Sequence, residues 1–163
     1  MTQTLISGVV LVIHCSTTNR FLLLEELEDK PLIAKTAGQV SFPCETRKDL
    51  EIGWEKTTVR ALREELGIQI QPTDVPKTAC LNPEKPIRFK YPTGVQVDLA
   101  IVRLSYAEEF SALPEDTDVR HYGWFSGKEI RVMSQQPEHL RCEMQIVMDA
   151  CGIDGVIKAD LAL

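Results

Sequence analysis

The chain has 163 residues, 44% hydrophobic and 26% charged, enough for one domain with its own core and small for two. Its 24 acidic and 18 basic side chains give a formal net charge of -6, which argues against broad electrostatic binding to a nucleic-acid polymer. A small phosphorylated ligand stays open, because a bound divalent cation reverses the local sign.

The five cysteines, Cys15, Cys44, Cys80, Cys142 and Cys151, are odd in number and form no CxxC pair. Neither a disulfide scaffold nor a structural zinc site is expected, and a reducing cytoplasm fits best. The longest apolar run, LISGVVLVI, is too short to span a membrane. No basic patch precedes it, so a secretory signal is not expected.

Residues 5–15, LISGVVLVIHC, are rich in β-branched side chains and read as a buried strand. The polar turn STTN leads into NRFLLLEEL, the second arm of a hairpin. GQVSFP is a short strand closed by Pro43, and TTVRALREEL is a helix stopped by Gly67. VPKTACL, residues 75–81, reads as a further strand. The proline-rich NPEKPIRFKYPTG reads as a loop or an irregular hairpin. VQVDLAIVRLSY is the next strand, YGWFS a short aromatic one, and GKEIRVMS a helical turn. EHLRCEMQIVMDACG, residues 138–152, is a terminal helix with Pro137 before it and Gly152 closing it. Strand-rich halves around one central helix predict an α+β fold, an α/β/α sandwich, in a single domain over 1–163.

On the helix VRALREEL, Val59, Leu62 and Leu66 share one face that should pack on a sheet. Glu64 and Glu65 flank the direction in which Ala61 points, one turn earlier. A carboxylate at 61 would complete an acidic cluster suited to a hard cation. The alternative is plainer: Arg60 and Glu64 are i,i+4 partners and form a surface ion pair. Elsewhere, His14 reads as structural and His121 lies near Asp118 and Tyr122, where a pocket role is open. Cys44 has no histidine base beside it. Arg88 and Lys90 alternate around Phe89 in a pattern that suits a phosphate or simply an edge strand.

GQVSFP, then RALREELGI, then GWFSGKEI together resemble the Nudix hydrolase family. Its signature is G-x5-E-x7-R-E-U-x-E-E-x-G-U, with U a bulky aliphatic residue. Arg60, Leu62, Glu64, Glu65, Gly67 and Ile68 fit the second half, and Ala61 replaces the glutamate after the arginine. The first half departs: Thr46 stands at the glycine and Ile52 at the first glutamate, with Glu51 beside that slot. Cys44 and Glu45 replace the glycines of the entrance loop. The resemblance implies a Nudix-like α/β/α sandwich with a mixed β-sheet. It also implies a metal-dependent hydrolase of a nucleoside-diphosphate-type compound, using Mg²⁺ with Mn²⁺ as an option. Carried over, Glu64 and Glu65 are metal ligands, joined by Glu51. Arg60 orients a glutamate, and Asp118 is a loop acid that binds metal or activates water. Arg88 and Lys90 are candidates for substrate binding. Glu45, Glu51, Asp98 and Asp118 are the acids able to compensate for Ala61, with Glu51 and Asp118 the first choices. The second reading of the damaged signature is a catalytically impaired ligand-binding or regulatory domain.

Overall fold

The computed structural model describes residues 5–151. Its centre is β1 (Leu5–Cys15), which pairs in parallel with β6 (Gln96–Tyr106) along its whole length, from Leu5↔Gln96 to Cys15↔Tyr106. On its other side β1 pairs antiparallel with β2 (Arg20–Glu26), and β2 with β3 (Val40–Ser41). Three further strands extend this sheet: β4 (Cys44–Thr46) on β1, β5 (Ile87–Lys90) on β6, and β7 (Val119–Phe125) on β2. The seven-stranded sheet is therefore mixed.

Alternation along β1 divides its side chains between two cores. Val9, Leu11 and Ile13 join Leu62 and Leu66 of helix α1 (Trp54–Leu66). Val10 and Val12 face Ile130 of α2 (Gly127–Met133) and Met144, Val147 and Met148 of α3 (Cys142–Cys151). A strand covered on both faces needs a nearly continuous apolar run, which is what residues 9–13 supply. The result is the expected α/β/α sandwich. A third, smaller cluster of Tyr91, Val95, Val97 and Leu99 lies beside Ile6 and Ile33. Among the described residues no helix is long and apolar enough to cross a membrane.

Several sequence expectations shift. Residues 75–81 form no strand but short 3-10 turns, with Lys77–Ala79 following one at Pro72–Asp74; only Cys80 bridges to β6, at Val102. Pro72 and Pro76 have no N–H to give a ladder. The proline-rich segment is a hairpin arm, β5 against β6. The aromatic strand begins earlier, at Val119, and the helical turn at 127 is a capped helix, with Ser126 and Glu129 forming the capping box. The last helix starts at Cys142 because residues 139–141 are pinned to β3: Val40 N–H donates to His139 O and Arg141 N–H to Val40 O. Gly152, expected to close it, lies outside the described residues.

Candidate functional site

Helix α1 brings its acids to strand β4 with its C-terminal end fixed by the following loops. Its C-terminus stops at Gly67, whose left-handed backbone (φ 73°) lets its N–H return to Arg63 O. A Cβ at Gly67 would stand 2.5 Å from Leu113 O, so the loop after β6 sits directly on this end. Two carbonyls of the last turn are met from that loop. Leu113 N–H donates to Leu66 O at 3.1 Å, and Glu115 and Asp116 N–H both donate to Glu64 O, at 2.8 and 3.1 Å. These bonds satisfy helix carbonyls with no partner inside the helix, and in doing so they carry Asp116 to Glu64.

Glu45 arrives from the opposite direction. Strand β4 pairs with β1 at Gly8↔Thr46 and Val9↔Glu45. A Cβ on Gly8 would lie 2.6 Å from Glu45 O, so only glycine allows this close approach. Among the described residues, Glu45, Glu64 and Asp116 form one group whose ligand oxygens all lie within 4.8 Å of one another. They border a cleft of about 370 Å³ that Glu65, Asp118 and Lys30 also line.

Arg60 holds the acids from behind. Its guanidinium donates to Glu51 at 2.8 and 3.0 Å, to Glu64 at 3.0 Å and to the Thr46 carbonyl, and lies 3.2 Å from Glu45. Hydrogen bonds from Arg60, with further donors at Lys48 and Thr57, hold the Glu51 carboxyl down at about 2 despite partial burial. Burial raises the Glu45 carboxyl and outweighs the pull of Arg60. Burial also raises Asp116, with Glu64 and Asp118 adding like charge. Glu65, only 5% exposed, is pushed up to about 9 by burial first and then by the charges of Glu45, Asp116 and Asp118. For Asp118, burial pushes upward, but the ammonium groups of Lys30 at 2.7 Å and Lys35 at 3.5 Å prevail and lower it.

This is an all-oxygen donor set of closely spaced carboxylates, partly buried and mutually repulsive. Such a set suits Mg²⁺ or Mn²⁺ and not a soft metal. Residues 6–143 match the NUDIX domain family. The chain belongs to that family. No curated protein matches its sequence. Among solved structures it is similar to a NUDIX hydrolase from Nitrosomonas europaea, at 20% identity and a TM-score of 0.64 over 93% of this chain and 90% of that one. A bifunctional NMN adenylyltransferase/ADP ribose pyrophosphatase from Francisella tularensis, complexed with AMP and a Mn ion, gives 13% and 0.63. That match covers 94% of this chain and 43% of the longer one. The NUDIX domain of Shewanella oneidensis NrtR, complexed with ADP ribose, gives 14% and 0.56, over 91% and 86% of the two chains.

In this NUDIX domain the structure brings Arg60, Glu64, Glu65 and Asp118 to one cleft. Glu51 is adjacent, but its carboxylate is engaged by Arg60 and Thr57 and it is not one of the three converging acids. Arg88 and Lys90 do not reach the cleft. On β5 the alternation turns Ile87 and Phe89 inward and these two outward, and Arg88 makes a two-bond pair with Asp98 at 2.7 and 2.8 Å. Ala61 differs most from expectation. It is fully buried within the apolar cluster of α1 and β1, so its direction is toward the core. His121 accepts from Ala112 N–H through Nδ1, and His14 bonds Asn19, both at loop anchors. Burial raises the Cys44 thiol well above its usual range, which leaves it an inert thiol. Asp116 was missed. Its signal was the acidic run PEDTD, in which Asp118 alone was singled out.

Proposed function

We propose that this chain is a divalent-metal-dependent hydrolase that cleaves the diphosphate linkage of a nucleoside-diphosphate-type compound. The observation that carries the reading is the convergence of Glu45, Glu64 and Asp116 oxygens within 4.8 Å in a lined cleft. These three would hold Mg²⁺ or Mn²⁺, with Glu65 behind them. When bound, the cation supplies charge neutralisation for the diphosphate and polarisation of its phosphoryl group.

The remaining roles fall to the chain itself. Arg60 keeps Glu45 and Glu64 aimed, since one guanidinium spans both. Lys30, half-exposed at the cleft, offers positive charge to a phosphate. Water attacks one phosphorus and the bridging oxygen leaves with the bonding pair. The water proton goes to a cleft carboxylate. Glu65 is our candidate, because it lines the cleft beside the three acids, and a cation that neutralised Glu45 and Asp116 would remove the like charge that helps keep its proton on. Asp118 is tied to two lysines and is a weaker base, so we assign it to orienting.

A screen of phosphate release over many diphosphate compounds, with Mg²⁺ and Mn²⁺ tested separately, is the direct experiment. Turnover that falls at least ~10-fold in Glu64→Gln supports the reading. No turnover with either metal, in a protein that still binds a nucleotide, supports the second reading of a ligand-binding domain. The buried Ala61 at a signature acid position is the observation that favours that alternative.

A further inference from the structure

Two lysines face Asp118, and they are not equivalent. The turn after β2 closes on itself: Lys30 and Lys35 pair their backbones in an antiparallel bridge, with Lys30 N–H donating to Lys35 O at 2.8 Å. Directly opposed residues of such a bridge carry their side chains on one face, so two like charges stand together and need an anion between them. Asp118 supplies it. Its Oδ2 lies 2.7 Å from Lys30 Nζ and 3.5 Å from Lys35 Nζ. Leu27 N–H also donates to the Asp118 carbonyl at 2.8 Å, and the Thr93 hydroxyl donates to Leu32 O at the tip of the turn. These bonds hold the two backbones together and leave the side chains to exchange partners.

Lys35 is 4% exposed and keeps Glu26 at 2.5 Å whatever Asp118 does. Lys30 is 46% exposed, and Asp118 is its one ionic partner among the described residues. A half-exposed pair of this kind is weak, so a phosphate entering the cleft competes well for the Lys30 ammonium. Asp118 lines the same cleft and acts on Asp116 and Glu65 as a like charge. It nevertheless stands outside the group formed by Glu45, Glu64 and Asp116. What separates it from that group is the partner it already has.

We propose that Lys30 is a latch on Asp118: it holds this carboxylate off the metal group until a phosphate takes the ammonium, and Asp118 then joins Glu45, Glu64 and Asp116 at the cation. Lys30 is a positioning residue in this scheme, acting through Asp118. The latch rests on the metal-site reading above, and its test reads metal affinity rather than turnover. Mn²⁺ is titrated calorimetrically into the unaltered protein, Lys30→Met, Asp118→Asn and the double variant. Lys30→Met should bind Mn²⁺ roughly 3–5-fold tighter, the strength of a pair that no longer has to be broken. In the Asp118→Asn background the same change should gain less, because only the screened, through-space effect of the lost charge remains. Lys30→Arg keeps the charge and should restore the unaltered affinity. Methylenediphosphonate, a diphosphate analogue that resists hydrolysis, should tighten Mn²⁺ binding less in Lys30→Met than in the unaltered protein, since there the latch is already open. Equal gains in both backgrounds, no gain in Lys30→Met, an arginine that behaves as methionine does, or equal tightening by the analogue each overturn the latch alone. Absence of Mn²⁺ binding to the unaltered protein sinks the metal reading, and the latch with it.

Discussion

Asp116→Asn removes one charge from the acidic group while keeping its shape. Two unit charges 4.8 Å apart repel by about 1 kcal/mol in water and about 3.5 kcal/mol at an effective dielectric near 20. Arg60 contacts Glu45 and Glu64 and offsets their charge, and Asp116 is not among its partners. The variant should therefore gain about 1–2 kcal/mol of stability without metal, nearer the solvated limit because the cleft is open to water. For a domain of this size that is a rise of roughly 2–8 °C in melting temperature.

With metal the order should reverse. Mn²⁺ at a hundred times its dissociation constant stabilises the unaltered protein by about 2.7 kcal/mol, or roughly 5–11 °C. The variant lacks one of three ligand groups and should show little of that gain. Thermal melts of both proteins, in chelator and across a Mn²⁺ series, test both halves in one assay. The two curves should cross. A variant that melts no higher in chelator and keeps the full Mn²⁺ shift would falsify the view that these carboxylates repel one another and share a cation.

Other outcomes follow from single residues. Glu65 takes up protons on folding, since its carboxyl moves from 4.5 up to about 9, so without metal its contribution to stability is full below about pH 4.5 and is lost as pH rises to about 9. In chelator, Glu65→Gln should flatten that part of the melting profile between pH 5 and 9, and an unchanged profile counts against its burial. Glu51 has the opposite sign: held at about 2, it stabilises above pH 4.5 and loses this as pH falls toward 2, so Glu51→Gln should lower melting temperature at neutral pH. Leu62→Ala, at a fully buried position, should cost ~2–4 kcal/mol in chemical denaturation, and a cost under about half a kilocalorie would mean an exposed site. Gly8→Val should push β4 away and weaken Mn²⁺ binding measured by calorimetry, because its Cβ would meet the Glu45 carbonyl.

The sandwich was legible because β1, β6 and the apolar face of α1 are strongly patterned, and both cores use those residues. Leu62 and Leu66 are buried as the helical period requires, and Gly67 ends the helix where a left-handed stop was expected. The site was legible only where it lies on that helix. Glu64 and Glu65 sit at signature positions. Their partners come from a three-residue strand and a loop, elements too short to show a period. Glu45 depends on a close approach at Gly8, and Asp116 on backbone bonds to the helix end. Neither dependence is written in local spacing, and the register of β4 on β1 is a tertiary fact.

Ala61 shows how a correct motif comparison can still mislead about direction. By helical angle it shares a side with Glu65, one turn later, and a glutamate at 61 appeared able to complete an acidic cluster. In the fold the same side is the buried one, and Glu65 itself is 5% exposed. Ala61 is fully enclosed in the apolar cluster with Leu62, Leu66 and Trp124. Ala61→Glu would therefore place a carboxyl among apolar side chains, adding both volume and an unpaired charge. It should destabilise the metal-free protein by several kcal/mol rather than slightly, with ~1–3 kcal/mol from overpacking alone. The informative comparison is Ala61→Gln, of nearly equal volume and no charge. If both variants lose similar stability, packing decides, and Mn²⁺ should restore neither. If Mn²⁺ restores Ala61→Glu alone, the new carboxylate has reached the cleft beside Glu65, and the helix face at 61 is open to the metal after all.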